Sequence, residues 1–68
     1  MKKNKEKLIK SGWQYKQSLD YYYEIYGRDN LRIIYDNGTD KPLALYNVFE
    51  RYFKMIDDIL WEFLTKKQ

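Results

Sequence analysis

The side chains that could perform chemistry in this chain are carboxylates, amines and phenols. The 68 residues include ten Asp or Glu, thirteen Lys or Arg and eight Tyr, but no His and no Cys. The commonest general base, the usual thiolate nucleophile and the preferred ligands of zinc, copper and haem are therefore missing. The carboxylates show no spacing typical of a metal site or of a glycosidase pair. We expect a non-enzymatic protein without catalytic residues, metal or cofactor.

The tyrosines indicate recognition rather than catalysis. The stretch DYYYEIYGRDNLRIIYDNG, residues 20–38, holds five of the eight tyrosines. Tyr, Trp and Arg side chains dominate the binding energy of protein interfaces, and aromatic rings on a sheet also stack on the bases of single-stranded nucleic acid. Whether a given tyrosine fills the core or binds a partner depends on the elements that position it.

Residues 4–11 predict a short helix. Asn4 is suited to cap its start, and Gly12 is suited to end it in the left-handed conformation. Trp13 would then contact Leu8, as the hydrophobic pair of a Schellman ending does. We therefore expect Trp13 to be structural.

Residues 19–37 fit two structures. Alternation with period two predicts a two-stranded antiparallel hairpin, with Ile25 opposite Ile33 and a three-residue loop at 28–30 that ends in Asn30. A period of 3.6 fits a helix ended by Gly27, and this alternative gives an all-α helical hairpin. We favour the hairpin because Tyr and Ile have high β-propensity.

Residues 40–66 predict a long amphipathic helix. Thr39 or Asp40 is suited to cap it, Pro42 fits its first turn, and neither Gly nor Pro follows. The predicted fold is thus α+β, a single domain of residues 1–68 with a helix at 4–11, a hairpin at 19–37 and a long helix at 40–66.

The long helix is more apolar than such a small fold requires. Its apolar side chains span an arc of about 180°, whereas packing on one core needs a stripe of about 100°. We therefore expect two copies to pack together as a homodimer. The predicted self-association residues are Tyr52, Met55, Ile59 and Phe63.

A second set of residues is expected to lie free for a partner. In the predicted register four of the side chains on the outer face of the hairpin are aromatic, apolar or arginine, and Trp61 projects from the polar side of the long helix. Arg and aromatic residues on such surfaces are typical of protein interfaces. The predicted partner-binding residues are Tyr22, Tyr26, Arg32, Ile34 and Trp61.

The charge is unevenly distributed along the chain. Residues 1–16 carry six Lys against one Glu, whereas residues 17–65 carry five basic against nine acidic side chains. Phosphates require a positive field, which only the Lys-rich start supplies. We therefore expect a protein partner. The alternative is a small protein that binds single-stranded nucleic acid with a Tyr-rich sheet face and the Lys-rich N-terminus.

The small size and the amino-acid composition of the chain suggest its biological setting. Abundant Lys, Tyr, Ile and Asn are what AT-rich genes encode, which suits a phage or mobile-element inhibitor that blocks a host protein, or a small bacterial regulator. No signal peptide and no apolar run of 18 residues are visible, so we expect a cytoplasmic location. Membrane binding is not expected, since the polar face of the predicted long helix is acidic.

Overall fold

The computed structural model describes residues 2–50 and 52–66. This part of the chain forms a five-stranded antiparallel sheet whose strands lie side by side in chain order, with a helix before and after it. None of its helices is long and apolar enough to cross a membrane. The elements are α1 (Lys3–Lys10), β1 (Gln14–Ser18), β2 (Tyr23–Arg28), β3 (Leu31–Asp36), β4 (Lys41–Asn47), β5 (Lys54–Met55) and α2 (Asp58–Leu64).

The predicted fold of a two-stranded hairpin with a long C-terminal helix is wrong. The sheet has five strands rather than two, and the C-terminal helix has seven residues rather than spanning 40–66. The all-α alternative is wrong as well. Where the long helix was expected, β4 pairs along the free edge of β3, with Pro42 opposite Tyr35 at an irregularity in the ladder. A bulge is one of the few places in a sheet where a residue without an N–H is tolerated.

Helix α1 ends as predicted. Gly12 has a φ of 92°, its N–H donates to the carbonyl of Ile9 at 3.2 Å, and the N–H of Trp13 donates to the carbonyl of Leu8 at 3.0 Å. This pair of bonds defines a Schellman motif. Leu8 and Trp13 are both buried, so the sequence signal for this ending is sufficient by itself.

The start of α1 is capped from a distant part of the chain. Asn4 lies inside the helix rather than capping it, and the side chain at the capping position, Lys2, makes no hydrogen bond that caps the helix. Instead, the carboxylate of Asp40 accepts the N–H groups of Asn4 and Lys5, both at 3.1 Å, and the hydroxyl of Tyr35 donates to the same carboxylate at 2.5 Å. Asp40 thus joins α1 to the β3–β4 turn.

Short polar side chains hold the turns between elements. At four positions an Asp or Asn accepts a backbone N–H from two or three residues further along the chain, which stabilises a turn or a helix start. Much of the acidic charge in the middle of the sequence therefore has a local structural role. The four residues are Asp20, Asp36, Asn47 and Asp57.

The pairing of β2 with β3 differs from the predicted register by one residue. Tyr26 lies opposite Ile33, and the strands are joined by a two-residue turn in which Asp29 has a φ of 53°. The predicted pairing of Ile25 with Ile33 around a loop at 28–30 is therefore wrong. Because neighbouring side chains point to opposite faces, the slip reverses every side chain of β2 while β3 keeps its expected orientation.

Both helices cover the same face of the sheet. On that face the ring of Tyr26 meets those of Tyr15 and Tyr35 edge to face, with centroids 5.8 Å apart in both pairs. The helices α1 and α2 form a second layer that packs on this face of the sheet. The buried core cluster consists of Leu8, Trp13, Tyr26, Ile33, Tyr35, Trp61 and Leu64.

Trp13 and Arg28 connect the ends of the two helices. The indole Nε1 of Trp13 donates to the carbonyl of Leu64 at 3.0 Å. The guanidinium of Arg28 lies 4.6 Å from the centre of the same indole and donates to the carbonyl of Ser11 at 2.9 Å. The sequence prediction that Trp13 is structural agrees with this arrangement.

Candidate functional site

Two of the predicted partner-binding residues are part of the core. Tyr26 is 2 % exposed, and its hydroxyl donates to Glu24 at 3.1 Å. Trp61 is 7 % exposed because α2 turns it toward the sheet rather than toward solvent. Placing them on a binding surface was therefore wrong: the register slip misplaced Tyr26, and the absent long helix misplaced Trp61.

The other three predicted residues lie at or near the surface. Arg32 and Ile34 are half-buried on β3, on the face of the sheet opposite the helices. Tyr22 is exposed in the β1–β2 turn, where its ring lies edge to face against Tyr21 and lines a groove of about 310 Å³ together with Tyr23. The structure thus brings Arg32 and Ile34 onto one surface and leaves Tyr22 at its margin.

We name the uncovered side of the sheet the open face. Strand pairing defines its members, because side chains of directly paired residues point to the same side. Its central row crosses all five strands and is flanked by one row on each side. The central row is Gln17, Ile25, Ile34, Ala44 and Met55, and the flanking rows are Gly27, Arg32 and Tyr46 on one side and Tyr23, Asp36 and Lys41 on the other.

The central row is apolar along β2 to β5. Ile25 and Ala44 are buried although they do not belong to the core cluster, so neighbours on the open face shield them. Met55, at the end of the row, is 73 % exposed. The exposed apolar surface of the central row is therefore concentrated at its β5 end, and exposed apolar patches on small proteins often mark interaction sites.

The aromatic content of this surface increases toward β5. Phe53 is 57 % exposed and packs against Tyr46 with ring centroids 4.8 Å apart. The segment between β4 and β5 exposes further apolar side chains, among them Val48, Phe49 and Tyr52. One end of the open face therefore offers aromatic and thioether groups that adapt readily to a partner.

The other end of the open face is cationic. Gly27 has no side chain, and the guanidinium Nη1 of Arg32 and the Cε of Lys16 each lie 2.8 Å from the position a Cβ would occupy there. The two side chains therefore converge above one backbone position. Among residues 2–50 and 52–66, neither Lys16 nor Arg32 forms an ion pair.

Negative charge is nearly absent from the open face. Asp36 is the one carboxylate in its three rows, and its side chain accepts two backbone N–H groups of the following turn. Glu24 lies on the helix side, 3.7 Å from the ammonium of Lys5. The acidic middle of the sequence argued against anion binding. This argument is therefore weaker for the folded protein.

The Lys-rich helix does not extend this cationic surface. Leu8 of α1 is in the core cluster with Tyr26 and Tyr35, so α1 covers the opposite side of the sheet. The predicted combination of a tyrosine face with the Lys-rich N-terminus on one surface is therefore not formed.

The predicted self-association residues are exposed but do not form one stripe. Met55 lies on the open face, whereas Ile59 and Phe63 lie on α2, which packs against the other face. Tyr52 belongs to the segment before β5. The helix that would have aligned them is absent, so the homodimer stays a prediction without its original structural reason.

Two observations on the described residues concern metal binding and the reactivity of the buried tyrosines. Within residues 2–50 and 52–66 no group of three acidic side chains is arranged to hold a metal ion. Burial, followed by the charge of Glu24, raises the pKa of Tyr26, and burial together with the bond to Asp40 raises the pKa of Tyr35. Both phenols are therefore protonated at neutral pH, and neither is activated as a nucleophile or base.

Sequence reasoning missed three contributors to this surface: Lys16, Tyr46 and Phe53. Tyr46 and Phe53 lie in the segment predicted as a long helix, and Lys16 was counted only in the charge of the Lys-rich start. A period-two reading of residues 41–47 would have placed Tyr46 beside Arg32. No sequence signal indicates that Lys16 reaches Gly27, because this depends on an irregularity in β1 between Tyr15 and Gln17.

Comparisons with known proteins add no relative. No family model matches the chain, and neither curated proteins nor solved structures give a match. The function must therefore be argued from the geometry of this chain.

Proposed function

We propose that the protein is a small, non-enzymatic interaction protein that binds a protein partner through the open face. The observation that carries this proposal is the exposed apolar and aromatic end of the open face, where Met55 ends the central row and Phe53 packs on Tyr46. Interfaces of regulatory proteins are built around such apolar and aromatic centres with a polar rim.

The partner we propose is an acidic protein surface. Lys16, Arg32 and Lys41 surround the apolar row, while Asp36 is engaged in its own turn. Charge of one sign beside an apolar centre favours partners of the opposite sign and speeds their association. We further propose that binding inhibits or regulates this partner in the cytoplasm, as a phage or mobile-element protein would do to a host protein.

The test is affinity capture from lysate of the source organism with variants on the two sides of the sheet. Met55→Glu places a charge on the open face, and Ile59→Glu places the same charge on the outer side of α2, where the residue is also exposed. We expect the wild type and Ile59→Glu to retain one specific protein that Met55→Glu loses. The captured protein must then bind the purified chain directly in calorimetry.

Several outcomes would oppose the proposal. Equal capture by both variants would remove the open face from the interaction. A doubled mass in light scattering that Met55→Glu returns to 8.5 kDa would make the occupant a second copy of this chain. Circular dichroism and thermal melting of each variant check that the fold is retained.

A second candidate function has one observation in its favour. Arg32 lies directly opposite Tyr46 on the same face, and Lys16 is close by. Cations beside aromatic platforms are how sheets bind single-stranded nucleic acid. Capture that disappears after nuclease treatment, with oligothymidylate binding that weakens steeply as salt rises, would favour this candidate.

A further inference from the structure

The cationic end of the open face has a geometry that surface lysines and arginines rarely share. Lys16 Cε and Arg32 Nη1 both lie 2.8 Å from the same point above Gly27, so they are at most twice that distance apart. The ammonium of Lys16 is one bond beyond Cε, so the two positive groups are neighbours, and like charges repel each other when no anion is present. Any side chain at position 27 would occupy the space where the two meet.

The guanidinium of Arg32 is held in place from one side. Its Nη1 donates to the carbonyl of Asp29 at 3.0 Å and to that of Leu31 at 2.8 Å. In the part of the chain that the structure describes, these are its only hydrogen bonds, so Nε and Nη2 keep three N–H donors. An arginine fixed in this way presents a planar pair of donors that matches a carboxylate.

We propose that Lys16 and Arg32 form a subsite above Gly27 that binds a carboxylate side chain of the partner. The subsite rests on the proposed function, because the same partner places its apolar side chains on the neighbouring row through Ile34 and on Tyr46. Gly27 acts as a positioning residue: its missing side chain lets both cations lie flat against β2. A carboxylate between them relieves their repulsion, and Asp36, the open face's own carboxylate, is held in its turn by two hydrogen bonds.

Gly27→Ala gives the sharpest test. The added methyl group meets only the ends of two flexible side chains within 3.0 Å, so these ends move and the backbone stays. We expect Gly27→Ala to keep the stability of the wild type and to weaken binding about tenfold, the effect of losing one charged hydrogen bond. A merely structural glycine would change stability rather than affinity.

The probe is a short peptide of alternating leucine and glutamate, compared with the same peptide carrying glutamine in place of glutamate. Binding is followed by NMR through the Arg32 Nε–H signal and the Gly27 amide. We expect the glutamate peptide to shift both signals and to bind about tenfold more tightly than the glutamine peptide. Lys16→Gln, on an exposed edge strand, should remove this preference, and Lys7→Gln on α1 should leave it intact.

Each remaining outcome overturns the subsite. Equal affinity for the two peptides, or no shift with either, would show that no carboxylate is recognised there. Tighter binding of oligothymidylate than of the glutamate peptide would assign the two cations to phosphates instead. Capture of the partner that depends on Met55 but is unchanged in Lys16→Gln and Gly27→Ala would refute the subsite and leave the proposed function intact.

Discussion

Replacing Asp40 with alanine should destabilise the protein more than an ordinary surface substitution. The carboxylate accepts two N–H groups from the first turn of α1 and the hydroxyl of Tyr35. Losing a helix cap costs about 1 kcal/mol. Leaving the Tyr35 hydroxyl without an acceptor costs about 1 to 3 kcal/mol more. We therefore expect the free energy of unfolding to fall by about 2 to 4 kcal/mol, and the melting temperature by at least about 10 °C.

A second substitution at the same position separates the backbone from the side chain. Asp40 has a φ of 57°, which alanine adopts only at a cost of about 1 kcal/mol and glycine adopts freely. Asp40→Gly should therefore be about 1 kcal/mol more stable than Asp40→Ala. Urea unfolding followed by tryptophan fluorescence measures both, since Trp13 and Trp61 are buried in the core.

A double-mutant cycle isolates the bond to Tyr35. In a Tyr35→Phe background the substitution Asp40→Ala should cost only the cap and the backbone strain of alanine, about 2 kcal/mol, because no hydroxyl is left unsatisfied. A coupling energy below about 0.5 kcal/mol would refute the assignment of the larger part of the loss to Tyr35.

The same carboxylate should also shape the acid limb of the stability curve. Although burial opposes it, hydrogen bonds from Tyr35, Asn4 and Lys5 and the charge of Lys2 lower the pKa of Asp40 below its ordinary 3.8. A group with a depressed folded-state pKa stabilises the fold fully above its unfolded-state pKa. This stabilisation is lost as pH falls through the lower folded value. Asp40→Ala should flatten the fall in stability below about pH 4.

Two further predictions concern the aromatic core. Trp13→Phe should lower the free energy of unfolding in urea by about 1 kcal/mol more than Trp61→Phe does. The reason is that the Trp13 indole donates to Leu64, whereas the Trp61 indole has no partner among the described residues. Equal losses in the two variants would contradict this. The raised pKa values of Tyr26 and Tyr35 mean that stability is unaffected below their ordinary 10.0 and falls as pH rises above it. Alkaline titration of tyrosinate absorbance should show these two ionising only with unfolding; ionisation of all eight tyrosines in the folded protein near pH 10 would oppose it.

Sequence reasoning succeeded where structure is decided locally. The ending of α1 depends on residues within five positions of each other, from Leu8 to Trp13, and it was predicted correctly. The inward orientation of Ile33 and Tyr35 follows from alternation within one strand and also agrees with the structure. Such features need no knowledge of distant partners.

The register of β2 failed because it depends on the length of a single turn. A three-residue loop and a two-residue turn both fit the sequence around Asp29. The length of this turn decides whether Tyr26 faces the helices or the open face. Of the five predicted partner-binding residues, this slip moved Tyr26 into the core. Arg32 and Ile34 were placed correctly because they lie on the strand whose orientation was predicted correctly.

The long helix failed because propensity competed with an unpaired sheet edge. Residues 43–46, Leu-Ala-Leu-Tyr, are good helix formers, but β3 offers backbone groups that only another strand can pair. The apolar arc of about 180° was itself an argument against a single amphipathic helix. It arose from projecting a strand, an exposed segment and a short helix onto one helical wheel.

The neighbour-to-neighbour order of the strands has a consequence during synthesis. Each hairpin can close as soon as its second strand has been made, because it needs no residue further along the chain. The core cannot close at that stage, since Trp61 and Leu64 arrive last and the bond from Trp13 to Leu64 spans 51 positions. Until residue 64 has left the ribosome, the part of the nascent sheet that α2 covers is exposed to solvent, so we expect aggregation to compete with folding during that interval.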